Sequence, residues 1–248
     1  MNLVWFRFYE ELNDLLPQRI RKQRIMYSFT GRPTVKDAVE ALGVPHTEID
    51  MILVNGISVD FSYKLRNEDA ISVYPVFESM DISTVTHLRE KPLRDPKFIL
   101  DVHLGKLAKY LRLSGFETYY EKAYDDNEII RRALSGHLTV LTRDLGILKN
   151  KLVTRGYWVR SQLPGEQLRE VLIRFDLKNL LKPFTRCTIC NAILADAGKI
   201  EVEDQLLPKT RLYYQEYKKC PDCGRIYWKG SHFEKMKKNL EKIIRNIK

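Results

Sequence analysis

The feature that most constrains this chain is its cysteine pattern. There are four cysteines, all beyond residue 186, arranged as Cys187-x-x-Cys190 and Cys220-x-x-Cys223 with a 29-residue gap between the pairs. Two CxxC pairs at such a spacing are typical of a tetrahedral four-thiolate zinc site. We therefore predict a zinc ribbon over residues 184–232. Its zinc is structural, because four thiolates leave no open position for water; disulfide pairing is the alternative interpretation.

The composition narrows the class of protein. The chain has 248 residues, of which 44% are hydrophobic, and this is enough for two or three compact units with their own cores. No apolar run approaches the roughly 20 residues that span a bilayer. The N-terminus, MNLVWFRFYEELND, has early acids and lacks the shape of a signal peptide. These features predict a cytoplasmic protein without membrane contact, a setting in which zinc is favoured over disulfides.

The positive charge lies in the C-terminal two thirds of the chain. The formal net charge is +10, divided as −2 over residues 1–80, +7 over 81–186 and +5 over 187–248. Such a surface suits an anionic polymer as partner, and a solvated basic surface is the alternative.

The first 79 residues predict a small independent domain. VWFRF alternates like a half-buried strand, and TVKDAVEALG is a helix in which Thr34 and Asp37 match a capping box. Asn55-Gly56 in ILVNGISV predicts a tight hairpin turn, and DAISVYPVF predicts a further strand. This ββαββ order resembles the ubiquitin-like β-grasp domain of sulfur-carrier proteins. Since the segment continues as PVFESMD and does not end in a free Gly-Gly, the resemblance implies an interaction module with a protein partner.

A linker is predicted at 80–97, where two prolines interrupt a segment without periodicity. Residues 98–183 then alternate strand-like and helix-like segments: FIL, LGKLAKYLRLSG, FETYY, DDNEIIRRALSG, LTVLT, GYWVR and PGEQLREVLIRF. This alternation predicts an α/β domain with a parallel sheet and helices on both faces.

Acidic residues recur at corresponding places in this domain. Asp101 and Asp144 each come just after a predicted strand, and Asp126 or Asp125 opens the helix before the third strand. Ligands of open parallel sheets lie outside the carboxyl ends of the strands, so three carboxylates are expected at one edge. Carboxylate oxygens suit magnesium or manganese, which activate water in phosphodiester hydrolysis. Taken one at a time, each acid is also explained as a helix cap or a strand end.

The strings FILDVHLGKLAKYLRLSGFET, DDNEIIRRAL and TVLTRDLGIL, in that order, resemble the PIN-like ribonuclease fold. More narrowly, they resemble the Mut-seven C-terminal RNase family, whose members often carry a zinc ribbon and sometimes a ubiquitin-like module. The resemblance implies metal-dependent RNA cleavage, with Asp101, Asp126 and Asp144 as catalytic, metal-binding acids and Asp125 as a candidate additional acid. PIN nucleases commonly have a fourth acid soon after the third, and LGILKNKLVTRGYWVR contains none. A non-catalytic RNA-binding or adaptor protein that keeps the fold is therefore the alternative hypothesis.

Basic residues near the acids are candidates for phosphate contacts, which position a nucleic acid without reading its sequence. We expect this role for Lys106, Arg112 and Arg143. The last segment, 233–248, predicts a basic amphipathic helix that docks on the protein and leaves its basic side free for RNA.

Overall fold

The structure is a computed structural model, and it describes residues 1–75, 96–245 and 247. The predicted linker at 80–97 therefore lies largely outside the described residues. The strands are β1 (Asn2–Phe8), β2 (Ile25–Phe29), β3 (Ile49–Val54), β4 (Ile57–Val59), β5 (Ala70–Pro75), β6 (Phe98–Leu100), β7 (Thr118–Tyr119), β8 (Thr139–Thr142), β9 (Gly156–Trp158), β10 (Ala195–Ala197), β11 (Tyr217–Lys219) and β12 (Ile226–Trp228). The helices are α1 (Val35–Ala41), α2 (Gly105–Leu113), α3 (Asp126–Gly136), α4 (Leu145–Lys149), α5 (Pro164–Arg174), α6 (Lys199–Val202), α7 (Pro208–Tyr213) and α8 (Ser231–Arg245).

Contacts divide the chain into two compact units. Among the described residues, the first unit contains residues 1–75 and 126–158, and the second contains residues 96–125, 159–245 and 247. The first unit therefore combines the N-terminal module with α3, β8, α4 and β9, and the second combines the remaining strands and helices.

The N-terminal module is the predicted small β domain. Its five-stranded sheet has the order β2-β1-β5-β3-β4, with β1 and β5 parallel and the other neighbours antiparallel. Alternation in β1 buries Val4, Phe6 and Phe8 against α1 and the facing strands. Asn55 and Gly56 form the predicted hairpin turn between β3 and β4, and both have positive φ, +52° and +86°.

The predicted capping box is present at the start of α1. The Thr34 side chain accepts from the Asp37 backbone N–H at 3.1 Å, and the Asp37 carboxylate accepts from the Thr34 N–H at 2.8 Å. Two of the N–H groups at the helix start are satisfied in this way, which explains why the helix begins where the sequence predicts it.

Within the first unit, the N-terminal module is joined to the segment that follows α4. Residues His46–Glu48 form a 3-10 turn, and all three are buried. His46 Nε2 lies 2.9 Å from the Val153 carbonyl oxygen, and the Trp158 backbone N–H donates to Glu48 Oε1 at 2.5 Å. A further bond joins the same segments, because Lys149 Nζ donates to the Glu40 carbonyl at 3.1 Å. The 3-10 turn of the N-terminal module is therefore held by hydrogen bonds to residues 153–158 of the same chain.

The strands of the α/β region pair in parallel. In the first unit, β8 and β9 are parallel, and in the second unit β6 and β7 are parallel. All residues of β6 and β8 are buried, as expected for strands of a parallel sheet covered on both faces. The predicted fold class, a parallel-sheet α/β domain between a ubiquitin-like domain and a cysteine-rich C-terminal segment, is confirmed.

The C-terminal cysteine segment contains a three-stranded antiparallel sheet in the order β10-β11-β12. The short helices α6 and α7 lie between β10 and β11 in the chain. The final helix, α8, begins at Ser231, two residues before the predicted start. No helix in the described part of the chain is both long and apolar enough to cross a membrane.

Candidate metal centres and the residues that support them

Asp101 follows β6 directly and is 3% exposed. It caps a 3-10 turn at Val102–Leu104, because its Oδ1 accepts from the His103 backbone N–H at 2.8 Å. The carboxylate is thus held at the carboxyl end of a buried strand and immediately before α2. His103 is exposed.

Tyr120 supports the turn that contains Asp101. Its hydroxyl donates to the Val102 carbonyl oxygen at 3.2 Å. The ring lies so close to Gly105 that a Cβ built there would be 2.5 Å from the Tyr120 hydroxyl oxygen. Glycine at the first position of α2 therefore allows the tyrosine to approach the turn, which explains the LGK string after Asp101.

Asp144 follows β8 and caps α4. Its Oδ1 accepts from the Gly146 backbone N–H at 2.6 Å, and its own N–H donates to Thr142 Oγ1 at 2.8 Å. The side chain is exposed, and among the described residues its Oδ2 accepts no hydrogen bond. One oxygen orients the carboxylate and the other is available to a cation.

Asp126 is the first residue of α3, and Asp125 precedes it; both are exposed. The Asp126 carboxylate makes no hydrogen bond or ion pair in the part of the chain that the structure describes. Asp126 and Asp144 belong to the first unit, and Asp101 belongs to the second.

The four cysteines form a compact cluster. Their Sγ atoms all lie within 4.8 Å of one another, with Cys187 to Cys223 at 3.6 Å and Cys190 to Cys220 at 3.2 Å. Tetrahedral zinc with Zn–S bonds of about 2.3 Å requires S–S distances of about 3.8 Å. All four are free thiols, which argues against the disulfide alternative. The donor set and its spacing fit a four-thiolate zinc ion.

Backbone geometry in both CxxC loops suits metal-bound sulfur. The Cys190 N–H points to Cys187 Sγ at 3.5 Å, and the Cys223 N–H points to Cys220 Sγ at the same distance. Gly224 has φ +71°, which glycine adopts at little cost. These N–H groups stabilise negative charge on the sulfur atoms, and the two loops use the same geometry.

The surroundings of Cys187 favour its thiolate. Burial by itself raises the pKa of this thiol, but the Cys190 N–H, the Tyr227 hydroxyl and the Ile189 N–H outweigh burial and lower the pKa to about 6. Tyr227 Oη lies 3.1 Å from Cys187 Sγ, and burial together with this contact raises the pKa of Tyr227 to about 12. Tyr227 is therefore a neutral hydrogen-bond donor to the Cys187 sulfur.

Arg112 has a different role from the phosphate contact that we predicted. It is 4% exposed, and its guanidinium donates to the carbonyl oxygens of Thr118 at 2.9 Å and Ile189 at 2.5 Å. Longer contacts reach the carbonyls of Thr188 at 3.4 Å and Tyr120 at 3.5 Å. Burial lowers the pKa of this guanidinium. Because its donors are directed at carbonyls inside the protein, Arg112 joins β7 to the first CxxC loop and is unavailable to RNA.

Other side chains that the sequence did not single out join the cysteine segment to β7 and to the turn before it. Asn191 Oδ1 accepts from the Thr118 N–H at 2.9 Å, and Arg186 Nε donates to the Gly115 carbonyl at 3.1 Å. Asn191 has φ +76°, a conformation that asparagine tolerates better than most residues. The only local sequence signal was an asparagine directly after the first CxxC pair, and nothing in the sequence indicated its distant partner.

Replacing Arg112 by lysine is expected to loosen the cysteine segment. Lysine keeps the charge but presents its donors from one nitrogen, so it leaves buried carbonyls without partners, at a cost of about 1–3 kcal/mol in the free energy of unfolding. Chemical denaturation and the rate of zinc loss to a colorimetric chelator measure the effect. Lys109→Gln, on the exposed side of the same helix, is the control. Equal stability and equal zinc loss in Arg112→Lys would contradict the structural role.

The remaining predicted phosphate contacts stay on or near the surface. Lys106 is exposed on α2, and Arg143 is half-buried. The Arg143 carbonyl accepts from Trp158 Nε1 at 3.3 Å, which fixes the backbone next to Asp144.

Comparison with known families identifies the class of protein. Residues 96–240 match the model of the Mut7-C RNAse domain, and residues 1–81 match that of the Mut7-C ubiquitin domain. The first match alone spans more than half of the chain, so this protein belongs to the Mut7-C RNase domain family. Both family predictions are confirmed.

Two solved structures are similar to part of the chain. They are the small archaeal modifier protein 1 of H. volcanii and SAMP1 from Haloferax volcanii, each 16% identical with a TM-score of 0.26. They cover 31% and 32% of this chain and the whole of their own. No curated protein matches the chain.

Proposed function

We propose that this protein is a divalent-metal-dependent ribonuclease that cleaves RNA phosphodiester bonds. The observation that carries the proposal is the match to an RNase domain over the segment that contains Asp101, Asp126 and Asp144. Two of these acids directly follow parallel strands, and the third opens a helix, which are positions where ligands of parallel α/β sheets are bound.

The donor set suits magnesium or manganese. All three residues offer hard carboxylate oxygens, and Asp126 and Asp144 have oxygens without hydrogen bonds among the described residues. When bound, the ion would activate water and stabilise charge on the scissile phosphate. The protein contributes orientation: the His103 N–H holds one Asp101 oxygen, and the Gly146 N–H holds one Asp144 oxygen. Lys106 and Arg143 are proposed to neutralise the bound phosphates.

We assign the four cysteines to a structural zinc ion. The zinc stabilises a ribbon whose own core is small: Cys187, Leu194 and Cys220 are the buried members of its cluster. Metal binding replaces the apolar core that this segment lacks.

A second candidate function rests on the sequence after Asp144. Residues 145–160 contain no acid, whereas PIN nucleases commonly place a fourth one there. A protein that binds RNA without cleaving it fits this observation. Purified protein incubated with mixed single-stranded and structured RNAs, with manganese or with a chelator, separates the two. Cleavage in the manganese lanes only supports the ribonuclease, and binding without cleavage in every lane supports the adaptor.

The choice between Asp126 and Asp125 is tested by a matched pair of variants. Asp126→Asn is expected to weaken manganese-dependent cleavage by about 10- to 100-fold, because a metal ligand loses its charge. Asp125→Asn, one residue earlier and equally exposed, is expected to retain the wild-type rate. Initial rates over a manganese titration provide the measurement, and the reverse order of effects would assign the ligand to Asp125.

A further inference from the structure

We propose that α2 and α8 form one basic surface that binds the phosphate backbone of an RNA chain and leads it to the Asp101 turn. This inference rests on the proposed ribonuclease function and extends its substrate-binding surface from the Asp101 turn along α2 onto α8. The α2–α8 basic surface consists of Lys106, Lys109, Lys235, Lys238, Lys242 and Arg245, all of which are exposed.

One face of α8 is packed against the rest of the protein. Leu240 is 2% exposed, and the Phe233 ring lies against Phe184 with centroids 4.3 Å apart. Near the C-terminal end of α8, Ile243 packs against Gly165. A Cβ built on Gly165 would lie 3.4 Å from Ile243 Cδ1. Cations at spacings of three, four and three residues, from Lys235 to Arg245, lie together on another side of the helix and face solvent.

A hydrogen bond joins this helix to α2. Asn239 Nδ2 donates to Tyr110 Oη at 2.8 Å. Lys235 and Lys242 lie one turn to either side of Asn239, and Lys106 lies one turn before Tyr110. The cations of the two helices therefore border the same contact and form one surface.

The cations of this surface are not paired with acids. None of its six cations makes an ion pair in the described ranges, whereas Lys97, Arg169 and Lys218 of the same unit are paired with acids. Glu234 and Glu241 lie three or four residues from Lys238 and Arg245 on α8, but they form no ion pair with these cations among the described residues. Because the six side chains are exposed and long, they are suited to track a polyanion by counterion release.

The geometry favours RNA over an anionic membrane. A helix that binds a bilayer inserts its apolar face, and the apolar face of α8 is already packed on the protein. The surface also continues into the site: α2 begins directly after the turn that Asp101 caps. A phosphate chain bound along α2 is therefore aligned with the proposed metal-binding acid.

The test measures the affinity for a fluorescent single-stranded RNA as a function of salt, without added divalent ions, so that binding is separated from cleavage. The triple variant Lys235→Gln, Lys238→Gln, Lys242→Gln is expected to lose at least tenfold in affinity at moderate salt. The slope of log K against log salt should fall by about 2, since each phosphate contact on a single strand contributes about 0.7. The control triple Lys64→Gln, Lys199→Gln, Lys209→Gln removes the same charge at positions outside α2 and α8 and should leave the slope unchanged.

The outcomes distinguish this surface from the nuclease assignment. An unchanged slope in the α2–α8 triple, or equal losses in both triples, would overturn the surface. The proposal would also be overturned if the wild-type protein bound phosphatidylserine vesicles and did not bind RNA. Manganese-dependent cleavage is measured separately on the wild type. If cleavage is absent but the slope falls as expected, the surface stands and the ribonuclease function fails; if cleavage is present and the triple binds normally, the reverse holds.

Discussion

Asp144→Asn is expected to abolish most manganese-dependent RNA cleavage, reducing the rate by about 10²–10³-fold, because it removes a charge that stabilises the reacting centre. The fold should survive the change. Asparagine caps helices as well as aspartate does, so its side-chain oxygen can still accept from the Gly146 N–H that Asp144 now holds at 2.6 Å. Single-turnover cleavage of a labelled RNA over a manganese titration measures the loss.

The variant is informative only if α4 remains folded, so its free energy of unfolding is compared with that of the wild type. We expect a difference below about 0.5 kcal/mol, as for exposed substitutions that keep a cap. Asp14→Asn, an exposed acid of the N-terminal module, controls for the loss of one negative charge. Wild-type cleavage by Asp144→Asn would remove this residue from the catalytic assignment.

Cys220→Ser is expected to unfold the zinc ribbon. Cys220 is fully buried, and serine cannot replace a thiolate in a tetrahedral zinc site. Zinc binding contributes about 10–16 kcal/mol in small zinc domains, and the few buried residues around the cysteines cannot compensate for its loss. The zinc content should fall below one ion per chain, and hydrogen exchange of the amides in 185–230 should lose protection.

Ile189→Ala is the matched control, since it changes a 43% exposed side chain in the same CxxC loop and keeps all four thiolates. It should retain zinc and exchange protection. A zinc-selective chelator applied to the wild type should reproduce the effect of Cys220→Ser, whereas a reducing agent alone should have none. Unfolding by the reducing agent alone would instead support disulfide pairing, and full protection in Cys220→Ser would contradict a structural metal.

Features that depend on a few neighbouring residues were predictable from the sequence. The Thr34–Asp37 capping box and the Asn55-Gly56 turn occur where they were predicted, because each is set by hydrogen bonds or φ values within four residues. Asp101 and Asp144 follow buried strands for a similar reason, since strand ends are marked by the change from apolar to polar residues. The CxxC spacing likewise determined the cysteine cluster, because two-residue loops bring both sulfur atoms of a pair to one side.

The tertiary structure decided which side chains are available for function. The sequence predicts that Arg112 is a surface cation, yet its guanidinium donates to the carbonyl oxygen of Ile189, 77 residues away. His46 reaches Val153 across 107 residues, and this contact binds the N-terminal module to its own chain. Both interactions arise because buried carbonyl oxygens need donors, and the donor that reaches them is set by the packing of distant segments. Residue type and local spacing therefore determined which chemical groups this protein has. Long-range packing determined which of those groups are exposed to a ligand and which are used within the fold.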